Sequence, residues 1–365
     1  MGVHDPLRVR ALWMAAGATR VLWLSVDLVG MDPSLVSELR TRLGSVGAPP
    51  TLLVSASHTH SGPGAYGDSA LFAFLALDRQ APDVRTRLLE GMEAAAHEAE
   101  RRRVQARVAV GRLAAPGLGR SRLGQPLDPE LGLLKVTSVD GRPIALVWNY
   151  AVHGTALGRS NLLLSGDLMA EASARLERAT GSTALFVNGA AGDVSPLRHG
   201  WPGVEWAGST LAEAALALWR SLGPGRDGPL DVRLLSVSLP KPTLSVRNCS
   251  GGWVPAALHV GLGRALSSSV ELLAVRIGDS AWVTVPGELQ TRLGLDIKAA
   301  GRRRFAEVFV AGYSNDYLGY FLTREAYGRP SYIACGSLYG ERGGEIVRDA
   351  AVDVLERLAG QGPRG

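Results

Sequence analysis

The sequence predicts an α/β protein in which mixed β-sheets are flanked by helices. Short β-branched runs alternate with longer amphipathic stretches from end to end. A length of 365 residues at 46% hydrophobic content provides a sizeable core. Apolar strands also run repeatedly into loops rich in Gly, Ser, His and Asn, the position at which α/β folds build their sites.

Strands are predicted over Val21–Val26, Thr51–Ser55, Arg107–Val110, Ile144–Trp148 and Ala184–Val187. Helices are predicted over Leu35–Leu43, Val84–Arg103, Leu168–Thr180 and Glu205–Leu222, with Asp167 as an N-cap and Gly181 as a C-terminal stop. Gly278-Asp279 between Leu272–Ile277 and Trp282–Val285 marks a hairpin, followed by a helix over Leu289–Ala300 and a strand at Val308–Val310. Gly223–Gly228 reads as an internal linker between halves of one domain spanning 1–365, and 360–365 as a disordered tail. No internal repeat is evident.

Composition excludes several functions. The formal charge is +5, but the basic residues are dispersed and only three of the 39 are lysine, so no nucleic-acid surface is predicted. Two cysteines, Cys249 and Cys335, are too few and too separated for a disulfide framework or a Cys-rich zinc site, and read as incidental. No apolar run reaches the length of a membrane span, and 1–20 lacks the layout of an export signal, so a cytoplasmic location is expected. Leu71–Leu77 reads as a buried helix, with an acyl channel or a transient membrane-surface contact as the alternatives.

Five segments carry candidate chemistry. In Ser57-His58-Thr59-His60-Ser61-Gly62-Pro63-Gly64, strand periodicity would send His58 and His60 to one side, toward one cation. His153 follows an apolar strand in the same manner, although a lone histidine there is more often a satisfied core residue. The small residues before Ser195 permit a tight turn with an exposed hydroxyl, while a structural Asx turn fits the pattern better. Glu288 ends a strand, and Tyr313, Tyr317 and Tyr320 crowd one short segment.

Taken in order, SHTHSGPG (57–64), NYAVHGT (149–155), GDVSP (192–196), VPGE (285–288) and NDYLGYFLTREAY (315–327) resemble the catalytic, N-terminal domain of the neutral, non-lysosomal ceramidases. The resemblance runs from about His4 to Gly344. It implies a zinc amidohydrolase of sphingolipid metabolism that cleaves the N-acyl bond of ceramide or a related N-acyl lipid, with one zinc per chain. The ligands it implies are His58, His153, Glu288 and Tyr320, with Tyr317 as the competing phenol. His60 would move the proton, Arg120 and Tyr332 would reach the substrate, and Ser195 matches a serine often assigned as nucleophile.

Metal-activated water would make that serine unnecessary, and both readings stand at this stage. Departures from the family pattern are a glycine loop expected ahead of His4, the absence of a C-terminal β-sandwich, and no export signal in a family that is often secreted. A different amide or ester substrate, or a non-catalytic ligand-binding role, are the alternatives. The partner expected is therefore a small-molecule N-acyl lipid or amide.

Overall fold

The structure, a computed structural model, describes residues 2–44, 49–68, 80–115, 117–263 and 266–360. The predicted α/β class with mixed sheets is what it shows, and each predicted element within the described residues is present with its ends shifted by a few residues, the helix predicted from Leu289 beginning at Thr291 and that predicted to Arg103 ending at Arg101. The Leu71–Leu77 stretch lies outside the described residues.

One arrangement of strands occurs in three places. Val9–Ala16 and Thr19–Val26 form an antiparallel hairpin, the chain crosses through the helix Pro33–Leu43, and Thr51–Ala56 returns parallel to the second strand. Glu130–Ser138 and Pro143–Tyr150 do the same, crossing through Asp167–Thr180 to the parallel strand Thr183–Asn188. Ser269–Ile277 and Ser280–Thr284 cross through Thr291–Gly301 to Glu307–Ala311. The sequence shows no repeat because the unit is a backbone topology, which many apolar strands satisfy without matching residue by residue.

Local chemistry fixes these elements. Asp32 caps the first crossover helix by accepting from the Ser34 and Leu35 amides, and Gly181 ends the second in the left-handed conformation at φ 66°. Asp167 is the first residue of its helix instead of the cap. At φ 57° it turns its carboxylate back onto the Leu157 and Leu168 amides.

Strands with both faces apolar bury them on two sides. Trp23, Leu53, Leu134, Val187, Val275, Trp282 and Phe309 join the three sheets in a central core, where the Trp23 and Trp282 rings meet edge to face at 5.0 Å. Gly132 permits this approach, because a Cβ there would lie 2.1 Å from the Phe309 ring. The opposite faces are covered by helices that contribute Leu39, Leu89, Leu293 and Val354 to one cluster and Leu176, Leu211 and Leu218 to another. The central cluster draws on residues from both sides of Gly223–Gly228, so that segment is a surface crossing within one packed body. The helix Gly343–Ala359, to which sequence patterning assigned no element, packs into the first of these clusters.

The two cysteines are not incidental. Cys249 and Cys335 form a disulfide that ties the short helix Val246–Cys249 to Tyr332–Cys335 across 86 positions. Two isolated cysteines carry no spacing signature, so only the fold reveals the pair. No described helix is long and apolar enough to cross a membrane. Purified protein denatured without reductant should expose no thiol to Ellman's reagent, and two reactive thiols per chain would contradict the pairing.

Candidate active site

The three topological units place their chemistry at the same ends of their strands. His58 and His60 follow Thr51–Ala56, His153 follows Pro143–Tyr150, and Ser195 follows Thr183–Asn188. Glu288 follows Ser280–Thr284, and the tyrosine segment follows Glu307–Ala311. Ligands of open α/β sheets gather at the carboxyl ends of parallel strands, as these residues do.

Backbone hydrogen bonds stitch the loops together. The His60 amide donates to Gly154 O at 3.0 Å, Gly192 to Leu289 O at 2.9 Å, and Gly312 to Asn188 O at 2.9 Å. The buried Asn188 side chain donates to Val152 O and Ser57 O and accepts from the Val152 amide, so one amide group holds both histidine loops. Two glycines permit the contact: a Cβ on Gly154 would lie 2.5 Å from His58 O, and one on Gly192 would lie 2.6 Å from Glu288 O.

The histidine pair converges by a route other than strand periodicity. The strand stops at Ala56, and His58 turns into the left-handed region at φ 67°, a conformation a non-glycine residue holds only when its surroundings enforce it. Its ring stacks on Tyr313 at 4.0 Å, and Tyr313 itself sits at φ 54°. His58, His60 and His153 end with ligand-capable atoms within 4.8 Å of one another, a group that could hold a metal ion.

The hydrogen bonding fixes what these atoms are. His58 Nδ1 lies 2.5 Å from Val29 O and His153 Nδ1 lies 2.8 Å from Ala191 O. A carbonyl can only accept, so both Nδ1 atoms carry the proton and both Nε2 atoms present lone pairs. Burial, the dominant cause, holds both imidazoles well below their ordinary pKa, and each is neutral at pH 7.

Glu288 adds a third acceptor. Its Oε1 receives the Tyr317 hydroxyl at 2.5 Å, while Oε2 lies 2.9 Å from His153 Nε2 and 3.7 Å from His58 Nε2. His153 Nε2 and Glu288 Oε2 are buried without a hydrogen-bond partner. Unpaired buried acceptors facing one another are costly, and a shared cation removes that cost. Two imidazoles and a carboxylate are also a common donor set for a catalytic divalent ion. The residues therefore fit such an ion.

The remaining predicted residues are placed as follows. Tyr320 pairs in parallel register with Glu288, and its phenol, like that of Tyr317, is raised well above its usual pKa, by burial first and then by Glu288. His60 Nε2 lies 3.3 Å from His58 Nε2 on a residue exposed to solvent. Tyr332 is 64% exposed at the rim, its ring 6.3 Å from that of Tyr320. Ser195 lies in the strand Val194–Pro196, half-buried, with no left-handed turn at the serine.

Arg120 is exposed on the strand opposite Ser195. The guanidinium that reaches the serine belongs to Arg122, whose Nε donates to Ser195 Oγ at 2.8 Å and whose Nη1 donates to Gly192 O at 3.2 Å. Sequence patterning missed Arg122 because the resemblance implies a role for Arg120, two residues earlier, and nothing in the residue pattern singles out its neighbour. A groove of about 1120 Å³ lined by Arg10, Trp13 and Arg103 lies elsewhere, and none of the residues above lines it.

Residues 1–228 match the family described as neutral/alkaline non-lysosomal ceramidase, N-terminal, and the chain belongs to that family. Among curated relatives, neutral ceramidase A of Dictyostelium discoideum is 26% identical over 266 residues, covering 63% of this chain and 37% of the relative. Neutral ceramidase of Pseudomonas aeruginosa is 22% identical over 98% of this chain and 68% of its own. The chain thus spans little more than a third of the Dictyostelium relative. A solved structure titled as a ceramidase complexed with C2 superposes with a TM-score of 0.84 at 20% identity, covering 98% of this chain and 71% of that one, which shows the shared fold.

Glu288→Ala should lower bound divalent metal, measured by plasma emission on gently purified protein, from about one ion per chain to a small fraction of that. Retention of full metal content would remove Glu288 from the donor set. Gly192→Ala should move the Glu288 backbone, weakening metal affinity by tenfold or more and costing about 1–3 kcal/mol of stability. Unchanged affinity in a metal titration would show that the close approach is not required.

Proposed function

We propose that the chain is a zinc-dependent amidohydrolase that cleaves the N-acyl bond of ceramide or a related N-acyl lipid. The convergence of His58 Nε2, His153 Nε2 and Glu288 Oε2, acceptors with no protein donor to satisfy the last two, carries the reading. The ceramidase names of the family and of its relatives support the substrate class.

His58, His153 and Glu288 would hold the ion, with Tyr320 as a weak phenol ligand beside Glu288. Tyr317 orients the carboxylate through its hydrogen bond, a supporting role commonly worth about 10- to 100-fold in metal affinity. When bound, a divalent ion supplies Lewis acidity toward the amide carbonyl and makes water a competent nucleophile near neutral pH.

Hydrolysis forms a C–O bond, breaks the C–N bond and must deliver a proton to the leaving amine. His60 suits that transfer. Its Nε2 lies 3.3 Å from His58 Nε2 at the solvent-facing edge of the site, so a neutral imidazole there can accept a proton and pass it on. Tyr332 stands where the polar end of a substrate would enter.

Ser195 is read as a hydrogen-bonding residue of the site, with water as the nucleophile; an acyl-serine trapped during turnover would reverse those roles. The Cys249–Cys335 disulfide belongs to oxidising compartments, so the cytoplasmic expectation is not carried forward.

Incubation with N-lauroyl sphingosine should release laurate. A chelator should abolish that release and zinc should restore it. Turnover that survives complete metal removal would contradict the proposal.

A further inference from the structure

Arg122 carries a positive charge into the site with no carboxylate in ion-pair contact among the described residues. Arginines that cross-link this fold meet acids: Arg10 with Glu177, Arg85 with Glu38, and Arg302 with Glu130. Among the described residues, no carboxylate forms an ion pair with Arg122. Its assigned contacts are the Ser195 hydroxyl, the Gly192 carbonyl and the face of Tyr332, whose ring centroid lies 5.6 Å from the guanidinium carbon.

Glu288 favours the Arg122 charge from beyond ion-pair distance. Glu288 is turned to the histidines and to Tyr317. Asp193, next along the chain from Gly192, spends one oxygen on the Thr291 amide and hydroxyl. A half-buried guanidinium whose contacts are a hydroxyl, a carbonyl and a rim tyrosine, none of them anionic, is a receptor for an anion, because planar N–H donors in low dielectric favour carboxylate or phosphate over a neutral hydroxyl. Tyr332, which covers the guanidinium, is largely exposed, so this side of Arg122 faces the entrance, while its charge is felt by His60, His153 and Glu288 behind it.

We propose that Arg122 is a specificity-determining residue that selects amide substrates bearing an anionic group, a carboxylate or phosphate, beside the scissile N-acyl bond. This rests on the amidase reading above and narrows it: the amine released is an acidic one, of the amino-acid or phosphorylated amino-alcohol class, in preference to a neutral sphingoid base.

The test compares N-lauroylglycine, N-lauroyl phosphoethanolamine and neutral N-lauroylethanolamine with wild type, Arg122→Gln and Arg122→Lys. In wild type, kcat/KM for at least one anionic substrate should exceed that for the neutral one by tenfold or more. Arg122→Gln should collapse that ratio through KM, and Arg122→Lys should retain part of it. The stronger of the two anions identifies the group. An equal loss for all three substrates would make Arg122 a support for Ser195 and overturn the proposal, as would a wild-type preference for the neutral amide.

Calorimetric binding of non-hydrolysable ethers, dodecyloxyacetate against 2-dodecyloxyethanol, separates the two claims. Arg122-dependent tighter binding of the carboxylate without hydrolysis of any amide would sink the amidase reading and keep this one. Amide hydrolysis with no Arg122-dependent charge preference in either assay would do the reverse.

Discussion

Three acceptor atoms that have no protein reason to meet are held together in the interior of this protein. His58 and His153 spend their Nδ1 protons on the carbonyls of Val29 and Ala191, which turns both Nε2 lone pairs inward toward Glu288. Such an arrangement is repulsive by itself and survives because the fold over-determines it, through left-handed backbone at His58 and Tyr313, the Asn188 bridge and the glycines at 154 and 192. A divalent cation held there would turn that repulsion into coordination, and the proposed function follows from that change.

The topology explains how distant parts of the chain reach one point. Each hairpin-and-crossover unit ends a parallel strand at the same edge, so each contributes from its strand ends: two histidines from the first, a histidine and a serine from the second, a carboxylate and the phenols from the third. The central core of Trp23, Leu134 and Phe309 sets the three sheets rigidly enough for a loop-borne site to keep its geometry.

Much of this was legible in sequence, for identifiable reasons. Strand ends at Ser55, Trp148 and Val285 were read within two residues of the observed ends because apolar runs give way to polar and small residues, and the motifs at 57–64, 149–155 and 285–288 stand in the order the resemblance requires. The route by which His58 and His60 converge was not legible, since periodicity says nothing of a left-handed kink at a non-glycine residue. Arg122 was not singled out because the resemblance points to Arg120, and only the fold shows which guanidinium meets Ser195. The disulfide was invisible because pairing across 86 positions depends on two short helices being neighbours.

X-ray absorption at the zinc edge of the loaded protein tests the central claim most directly. A nitrogen and oxygen shell at about 2.0–2.2 Å with the outer-shell scattering of at least two imidazoles is expected. A spectrum with no imidazole scattering, or with zinc in an aquo-like shell, would contradict it.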